Sequence, residues 1–302
     1  MPTQKKTTLL KKLILDKEIL LMPGAHDALS ARIIEQAGFK AVSLGGAAPS
    51  ICSLGKPDVS LLTLTEMATY VRNVVEAVDI PVFADGDTGH GNVTNVIRTT
   101  REFEKAGLAG FFIEDQVFPK RCGHTEGKQV IPTEEMIPKI KAALDTRVDQ
   151  DLVIMARIDS LAIYGIDDAI ERAHRYREAG ADLIFIEALT SKGEMIRINR
   201  ELDAPTLATQ IEGGKTPLCT AKELEEMGFN TVVYPGSSFF AAAWAIKKLM
   251  EELYHTGTTR HYMDKMILFE DLNRMVGLDK VREVETYYYK GLLGSQAKGR
   301  LV

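Results

Sequence analysis

The sequence GFFIEDQ at residues 110–116 carries the pattern that decides the fold. Its apolar residues are typical of a strand buried on both faces, and acidic residues follow them directly. Similar runs occur at seven other places, namely residues 18–25, 41–46, 80–87, 152–159, 181–188, 205–212 and 231–238. A succession of eight such runs predicts a parallel sheet that is covered on both faces.

Segments with a helical spacing of apolar residues separate these runs, and several of them end in Gly, as helices often do. Eight alternating units predict an α/β fold closed into a (β/α)8 TIM-type barrel, with residues 1–302 as one domain. An open, doubly wound sheet is the alternative. No GxGxxG motif follows the first run, so nothing indicates a dinucleotide site.

The two ends of the chain carry additional helical patterns. Apolar residues near the amino terminus are interrupted by Lys11 and Lys12, which favours an amphipathic first helix over a signal peptide. Helical spacing resumes after the eighth run, and we expect a helical extension over about 256–302. Its apolar residues need a covering surface, so we expect packing against another subunit. No segment has the ~20 apolar residues that a membrane span requires.

Composition narrows the classes of function. The chain has 45% hydrophobic and 26% charged residues and a net charge of -5, which argues against a nucleic-acid partner and favours a small molecule. Its three cysteines, Cys52, Cys122 and Cys219, lie far apart without a CxxC pair. We therefore expect neither a zinc site nor a disulfide framework, and a reducing compartment such as the cytoplasm.

Charged and polar residues stand where the strands are expected to end. They are Asp85 and Asp87, Glu114 and Asp115, Arg157 and Asp159, Glu187, and Gln210 and Glu212. Any single carboxylate there could cap a helix or pair with a lysine. Together they predict one site, because a barrel builds its active site at this end. So much negative charge needs a cation, and an all-oxygen set without a His cluster favours Mg²⁺ or Mn²⁺ over zinc.

Asp85 and Asp87 are two residues apart, so a regular strand would point both into the barrel. The glycines of GDTGHGN at 86–92 allow a tight turn after them. His90 lies in this turn. It either contacts the substrate or is simply a polar loop residue.

The segment FPKRCGHTEGK at 118–128 places Lys120, Arg121 and His124 around Cys122. Nearby positive charge stabilises a thiolate, so we predict a thiol pKa below the ordinary value of about 8.5. An exposed, unreactive thiol in a charged loop is the alternative. Cys52 and Cys219 lack such neighbours and are interpreted as structural.

Seven motifs, in this order, resemble those of the isocitrate lyase and phosphoenolpyruvate mutase superfamily. They are PGAHDALSARI (23–33), LGKPD (54–58), DGDTGHGN (85–92), IEDQ (113–116), KRCGH (120–124), MARID (155–159) and EGGKTP (212–217). The resemblance covers nearly the whole chain. KRCGH is similar to the gating-loop signature of the lyase branch, which the mutase and hydrolase branches lack in that form.

The resemblance implies a (β/α)8 barrel whose last helix is exchanged between subunits of a homotetramer. It also implies a Mg²⁺ site in which Asp87 binds the metal most directly and Asp58, Asp85 and Glu114 hold its waters. The residues implied as catalytic are Cys122, Arg157, Glu114, Lys120 and His124. Those implied to bind the substrate are Gly45, Gly46, Asp58, Arg157, Glu187, Gln210, Glu212, Pro235 and Phe240.

The lyase branch implies retro-Claisen cleavage of a 2-hydroxy dicarboxylate, with Cys122 protonating the departing carbanion. The general base stays open, because Ser43 stands where the family often has Tyr. Gly45-Gly46 and Gln210 also depart from the usual pattern. The 2-methylisocitrate lyases carry Arg in the motif after strand eight, where this chain has Phe240. An apolar residue favours a methyl group over a third carboxylate, and therefore 2,3-dimethylmalate as substrate, with propionate and pyruvate as products.

Other reactions of the same superfamily are the alternatives: cleavage of 2-methylisocitrate, hydrolysis or decarboxylation of oxaloacetate, and phosphonopyruvate chemistry. KRCGH counts against the last two. A barrel that only binds a metabolite is a further alternative. It is disfavoured because Asp85, Asp87, Glu114, Cys122 and Arg157 are all present.

Overall fold

The computed structural model describes residues 4–296 of the chain and has an α/β fold. Its strands are β1 (Leu20–Pro23), β2 (Val42–Leu44), β3 (Val82–Asp85), β4 (Gly110–Glu114), β5 (Val153–Ile158), β6 (Leu183–Ile186), β7 (Leu207–Thr209) and β8 (Thr231–Tyr234). Each strand lies within one of the eight apolar runs, so the sequence predicted all of these positions.

The strands close into a ring. Among the described residues, parallel ladders join β1, β8 and β7 in one group and β2 to β6, in order, in the other. Single parallel bridges between Gly24 and Ser43 and between Ile184 and Thr206 link the two groups. This closure confirms the predicted (β/α)8 barrel and excludes the open, doubly wound sheet.

Helices alternate with the strands. They are α1 (Lys6–Ile14), α2 (Ala28–Gln36), α3 (Ala47–Leu54), α4 (Leu64–Ala77), α5 (Val93–Lys105), α6 (Thr133–Thr146), α7 (Leu161–Tyr164), α8 (Ile166–Glu178), α9 (Lys192–Glu201), α10 (Ala221–Glu226), α11 (Ser237–Thr256), α12 (Phe269–Met275) and α13 (Leu278–Gln296), with a 3₁₀ helix at Arg260–Lys265. Asp27, Thr63 and Thr220 cap α2, α4 and α10 by accepting a backbone N–H three residues later, which fixes where these helices begin.

Alternation along the strands divides the core into two layers. In β4, Phe111 and Ile113 belong to the layer shared with the helices, whereas Phe112 belongs to the layer inside the barrel. Leu10 and Ile14 of α1 also belong to the inner layer. The predicted amphipathic first helix is therefore confirmed. It covers the amino-terminal end of the barrel and leaves the carboxyl end for a site.

The chain divides into two compact units, Met1–Ala241 with the barrel and Ala242–Val302. The division falls inside α11, which continues to Thr256, and the predicted single domain with an extension over about 256–302 stays a prediction. Within the second unit, large apolar side chains such as those of Trp244, Tyr254 and Phe269 are exposed. In the described part of the chain, no helix has the length and apolar character of a membrane span.

Candidate active site

Charged residues at the carboxyl end of the barrel stand directly above the inner apolar layer. Side chains two residues apart on a strand face the same way, so each inward apolar residue is followed by an inward charged one. The pairs are Phe83 with Asp85, Phe112 with Glu114, Met155 with Arg157, and Phe185 with Glu187. Because side chains alternate along each strand, the charged residues of these four strands form one polar surface at the bottom of the site, here called the floor.

A cavity lies above this floor. Of the residues predicted from the sequence, those that line it are Gly45, Gly46, Asp58, Asp85, Cys122, His124, Arg157, Glu187 and Pro235. A second, outer cavity shares several of these residues and is also lined by Lys120 and Phe240. Residues from distant parts of the chain thus meet at the mouth of the barrel.

Arg157 is held rigidly at the centre of the floor. Its Nε and Nη2 donate to the two oxygens of Asp159 at 3.0 and 3.1 Å, and its Nη1 lies 3.1 Å from Oε2 of Glu114. The guanidinium also stands 5.6 Å from the ring centres of both Phe112 and Phe185. Burial would lower the pKa of Arg157, but Asp159 and Glu114 raise it well above its usual value. The result is a permanent, oriented cation suited to a substrate carboxylate.

Lys120 lies within the acidic cluster rather than beside the thiol. Its Nζ donates to both oxygens of Asp58, at 2.8 and 2.7 Å, and lies 3.0 Å from Oδ1 of Asp87. Burial would lower the pKa of this ammonium group, but Asp87, Asp85 and Glu114 together raise it well above its usual value. Lys120 is therefore a fixed positive charge among the carboxylates.

The donor atoms of this cluster fit a divalent cation. Oδ1 of Asp87 and both oxygens of Glu114 are buried without a hydrogen bond, although Oδ1 of Asp87 lies 3.0 Å from Nζ of Lys120 and Oε2 of Glu114 lies 3.1 Å from Nη1 of Arg157. Gly46 keeps the space beside them open, since a Cβ there would lie 2.9 Å from Oδ2 of Asp85. Burial raises the pKa of Asp85 and of Glu114, and the nearby cations Lys120 and Arg157 offset this effect only in part.

Two features of the described residues oppose metal binding in the conformation seen here. No three or more His, Cys, Asp or Glu side chains among them are already spaced as a ligand set. The Lys120 ammonium lies between Asp58 and Asp87, where a second cation would be repelled. A cation bound at Oδ1 of Asp87 would therefore compete with the Nζ of Lys120 for that oxygen.

The reason predicted for the shared direction of Asp85 and Asp87 is wrong. β3 ends at Asp85, and Asp87 follows in a turn with a left-handed φ of 48°. Its backbone N–H donates to Oδ1 of Asp85 at 2.7 Å. This turn, and not strand alternation, brings carboxylate oxygens of both residues within 2.9 and 3.2 Å of the same point beside Gly46.

Cys122 lies on the segment 117–129, here termed the Cys122 loop, and lines both cavities. The prediction of an acidified thiol is wrong, because Lys120 turns to Asp58 and does not support a thiolate. Burial raises the pKa of the thiol above its ordinary value, and this effect outweighs Arg157, which lowers it, while Asp58 and Glu187 add to it. The group is therefore a protonated thiol at neutral pH, which suits a proton donor better than a nucleophile.

His124 connects the Cys122 loop to two neighbours. Its Nδ1 accepts a hydrogen bond from the backbone N–H of Lys215 at 3.0 Å, and its Nε2 lies 3.2 Å from Oε1 of Glu187. Because Nδ1 is an acceptor, the neutral ring carries its proton on Nε2, facing Glu187. His124 thus contacts Glu187 and the loop after β7.

Three predicted substrate-binding residues lie outside the inner cavity. The amide of Gln210 is fully buried and forms hydrogen bonds with backbone groups within residues 209–219. Glu212 is exposed and accepts a hydrogen bond from Ser237. Phe240 is 41% exposed and lines the outer cavity. Gln210 and Glu212 therefore support loop structure here, while Phe240 lies on the approach to the floor.

Lys128 is a buried residue of the site that was not predicted from the sequence. Its Nζ donates to the carbonyl of Gly123 at 2.7 Å and to Oδ1 of Asp159 at 2.9 Å. A lysine after a glycine in a charged loop is usually a surface residue, so the residues around Lys128 did not indicate that it is buried. Its place at the end of the Cys122 motif was the one available indication.

Fold and site define the protein's class: a (β/α)8 barrel with an acid-lined cavity at the carboxyl ends of its strands and a thiol on a loop above it. The chain belongs to the phosphoenolpyruvate phosphomutase family, whose model matches residues 10–254. It is 48% identical to a 2,3-dimethylmalate lyase of Eubacterium barkeri, over 93% of this chain and 98% of that protein. It is 42% identical to a probable 2-methylisocitrate lyase of Corynebacterium glutamicum, over 88% and 86% of the two chains.

Solved structures agree with this assignment. A 2,3-dimethylmalate lyase of the PEP mutase/isocitrate lyase superfamily superposes with a TM-score of 0.90 at 34% identity, over 95% of this chain and 96% of that chain. An oxaloacetate acetylhydrolase in complex with 3,3-difluorooxalacetate gives 0.90 at 31% identity, over 94% and 97%. A phosphonopyruvate hydrolase in complex with oxalate and Mg²⁺ gives 0.85 at 27% identity, over 94% and 99%. The predicted superfamily is therefore confirmed.

Proposed function

We propose that this protein is a Mg²⁺-dependent carbon–carbon lyase that cleaves 2,3-dimethylmalate into pyruvate and propionate. The observation that carries the proposal is the position of the protonated Cys122 thiol on the cavity that the fixed Arg157 guanidinium also lines. The 48% identity to a 2,3-dimethylmalate lyase supports the reaction and the substrate.

Asp87 would hold the metal most directly, with Asp58, Asp85 and Glu114 holding its waters. The buried oxygens of Asp87 and Glu114 that lack hydrogen bonds support this assignment, as does the Mg²⁺ complex of the related hydrolase. When bound, Mg²⁺ would neutralise the charge that develops on the oxygens of the 2-oxoacid half. The carboxylate oxygens of these residues are hard donors, which favour Mg²⁺, with Mn²⁺ as the alternative.

Arg157 binds the carboxylate beside the hydroxyl-bearing carbon and holds this half in place. The hydroxyl on C2 loses its proton to a general base and becomes the ketone oxygen of pyruvate as the bond between C2 and C3 breaks, and the electron pair of that bond stays on the propionate half as a carbanion stabilised by the carboxylate. Cys122 donates the thiol proton to that carbon, and the closed loop keeps bulk water from competing. Ser43 is a poor candidate for the general base, because its hydroxyl already donates to the carbonyl of Met22 at 3.0 Å.

Phe240 supports a methyl group, rather than a third carboxylate, at C3 of the substrate. Its ring packs against Phe239 with 4.6 Å between ring centres and lines the outer cavity with Cys122 and Pro235. A carboxylate facing this surface would lose hydration without gaining a partner, which costs several kcal/mol. A methyl group would gain up to about 1 kcal/mol from burial.

We predict that the wild type cleaves 2,3-dimethylmalate with a higher kcat/KM than 2-methylisocitrate. Phe240→Arg should shift the ratio toward 2-methylisocitrate by roughly tenfold or more, since the guanidinium can pair with the third carboxylate. Coupled detection of pyruvate, the ketoacid released from both substrates, gives the two values. Phe239→Leu, a change in the neighbouring buried ring, is the control for general disturbance. A wild type that prefers 2-methylisocitrate would refute the substrate assignment and leave the lyase reaction intact.

Cleavage of 2-methylisocitrate is the second candidate, supported by the 42% identity to a probable lyase of that name. Hydrolysis of oxaloacetate is a third, supported by the structural similarity to oxaloacetate acetylhydrolase.

We also propose a cytoplasmic homotetramer. The exposed Trp244, Tyr254 and Phe269 of the second unit support assembly, since large apolar side chains on a surface commonly mark an interface.

A further inference from the structure

Lys128 forms two contacts that no catalytic assignment explains. Its side chain is 2% exposed, and its Nζ joins the carbonyl of Gly123 to the carboxylate of Asp159. Burying a lysine is costly unless its charge is paired and its protons are used, and both conditions are met here. The two partners belong to different parts of the site: Gly123 follows Cys122 in the loop, and Asp159 follows β5.

The base and the tip of the Cys122 loop are held differently. At the base, Gln116 and Val130 form an antiparallel bridge, and the N–H of Val117 donates to the carbonyl of Gln129 at 2.8 Å. At the tip, the Gly123 carbonyl is held by the side chain of Lys128.

The tip packs directly onto the substrate-binding cation. A Cβ added at Gly123 would lie 2.4 Å from Nη2 of Arg157 and 2.4 Å from Cγ of Glu187, so only glycine allows this approach. The same Arg157 donates twice to Asp159, whose Oδ1 also accepts from Lys128. The Asp159 carboxylate is therefore shared between the residue that binds the substrate and the residue that holds the loop.

The charge balance at Asp159 supports this role. Burial would raise the pKa of this carboxyl, but Arg157 and Lys128 outweigh burial and hold the pKa below its usual value. Asp159 is thus ionised and able to bind both cations. With Lys128 removed, Arg157 still donates two hydrogen bonds to it, so the carboxylate is not left unpaired.

We propose that Lys128 is a positioning residue that fastens the Cys122 loop in its closed position, through the Gly123 carbonyl, to the Asp159 carboxylate that also orients Arg157. The side chain of Lys128 touches no reacting atom. It acts by holding Cys122 over the floor, and it couples the position of this loop to that of Arg157. The consequence for turnover rests on the proposed lyase function, whereas the consequence for the loop does not.

The test compares the alkylation of Cys122 and Cys52 by iodoacetamide within one protein, followed by peptide mass spectrometry. Cys52 is exposed and serves as the internal reference. Lys128→Met should raise the ratio of Cys122 to Cys52 alkylation by about tenfold or more, because a hydrogen bond from a charged group is lost at the tip. Lys128→Arg should restore much of the closed state, since it keeps the charge and the donors.

Arg147→Met is the matched control. Arg147 also joins a carbonyl to a carboxylate, since its Nη1 donates to Leu152 at 2.7 Å and to Asp182 at 2.6 Å, but it lies just before β5, at the opposite end of the barrel. This variant should lose stability and leave the alkylation ratio unchanged. Lys128→Gln, which keeps a donor for the carbonyl, takes the place of Lys128→Met if that protein does not fold.

A second measurement separates positioning from general damage. In Lys128→Met, kcat for lyase turnover should fall about tenfold while the KM for 2,3-dimethylmalate changes less than about threefold, because closure matters more for the proton transfer than for binding. An unchanged alkylation ratio in a folded Lys128 variant would overturn the proposal, whatever the activity. Absence of lyase activity in the wild type would refute the proposed function, and the alkylation result would still decide the role of Lys128.

Discussion

Cys122→Ser is expected to lower kcat by about 10³-fold, within the range of 10² to 10⁴ that general acid–base catalysis contributes. A hydroxyl is far less acidic than a thiol but similar in size. The raised pKa of Cys122 makes its proton available at neutral pH, and its place on both cavities puts that proton beside the substrate. Calorimetric titration with pyruvate and Mg²⁺ should give affinities within a few-fold of the wild type.

Cys52→Ser is the matched control for that variant. Cys52 is exposed and lies outside both cavities, so this substitution should leave kcat unchanged. Wild-type turnover in Cys122→Ser would contradict the proton-donor role. A loss of Mg²⁺ or pyruvate binding equal to the loss of turnover would assign Cys122 to binding instead.

Asp87→Ala is expected to abolish metal-dependent turnover, with a loss of about 10³-fold or more, since metal stabilisation of developing charge is worth several kcal/mol. Asp87 lies at the turn after β3, and its Oδ1 is buried without a hydrogen bond. The measurement is turnover against added Mg²⁺, with EDTA as the reference condition. A direct Mn²⁺ titration followed by electron paramagnetic resonance should show weakened binding in the variant.

His90→Ala is the comparison for the Asp87 variant, because His90 shares the same turn and lines neither cavity. It should retain a substantial fraction of activity and bind Mn²⁺ like the wild type. Activity in Asp87→Ala that does not respond to EDTA would show that the metal lies elsewhere.

The fold could be predicted because its signal is local and repeated. Each strand is a short apolar run, those of β3 to β6 end in charged residues, and closure of the barrel follows from the number of such units. The period of two also explains the inward direction of Glu114 and Arg157 in the structure, since the apolar Phe112 and Met155 precede them by two residues. These features depend on neighbouring residues alone.

The details of the site depend on long-range contacts and were predicted less well. Charge close to Cys122 in sequence suggested an acidic thiol, but Lys120 reaches 62 residues back along the chain to Asp58. Lys128 similarly reaches Asp159, 31 residues further on. Side chains of this length select partners by space and charge, so sequence neighbours were a poor guide to their contacts.

The most direct test of the central claim is a proton NMR assay of 2,3-dimethylmalate with the wild-type protein in D₂O, with and without Mg²⁺. Cleavage between C2 and C3 with protonation of the released carbanion should give pyruvate and propionate in equal amounts, with one deuterium at C2 of propionate. EDTA should stop the reaction. Release of CO₂, propionate without pyruvate, or full activity in EDTA would contradict a metal-dependent carbon–carbon lyase at this site.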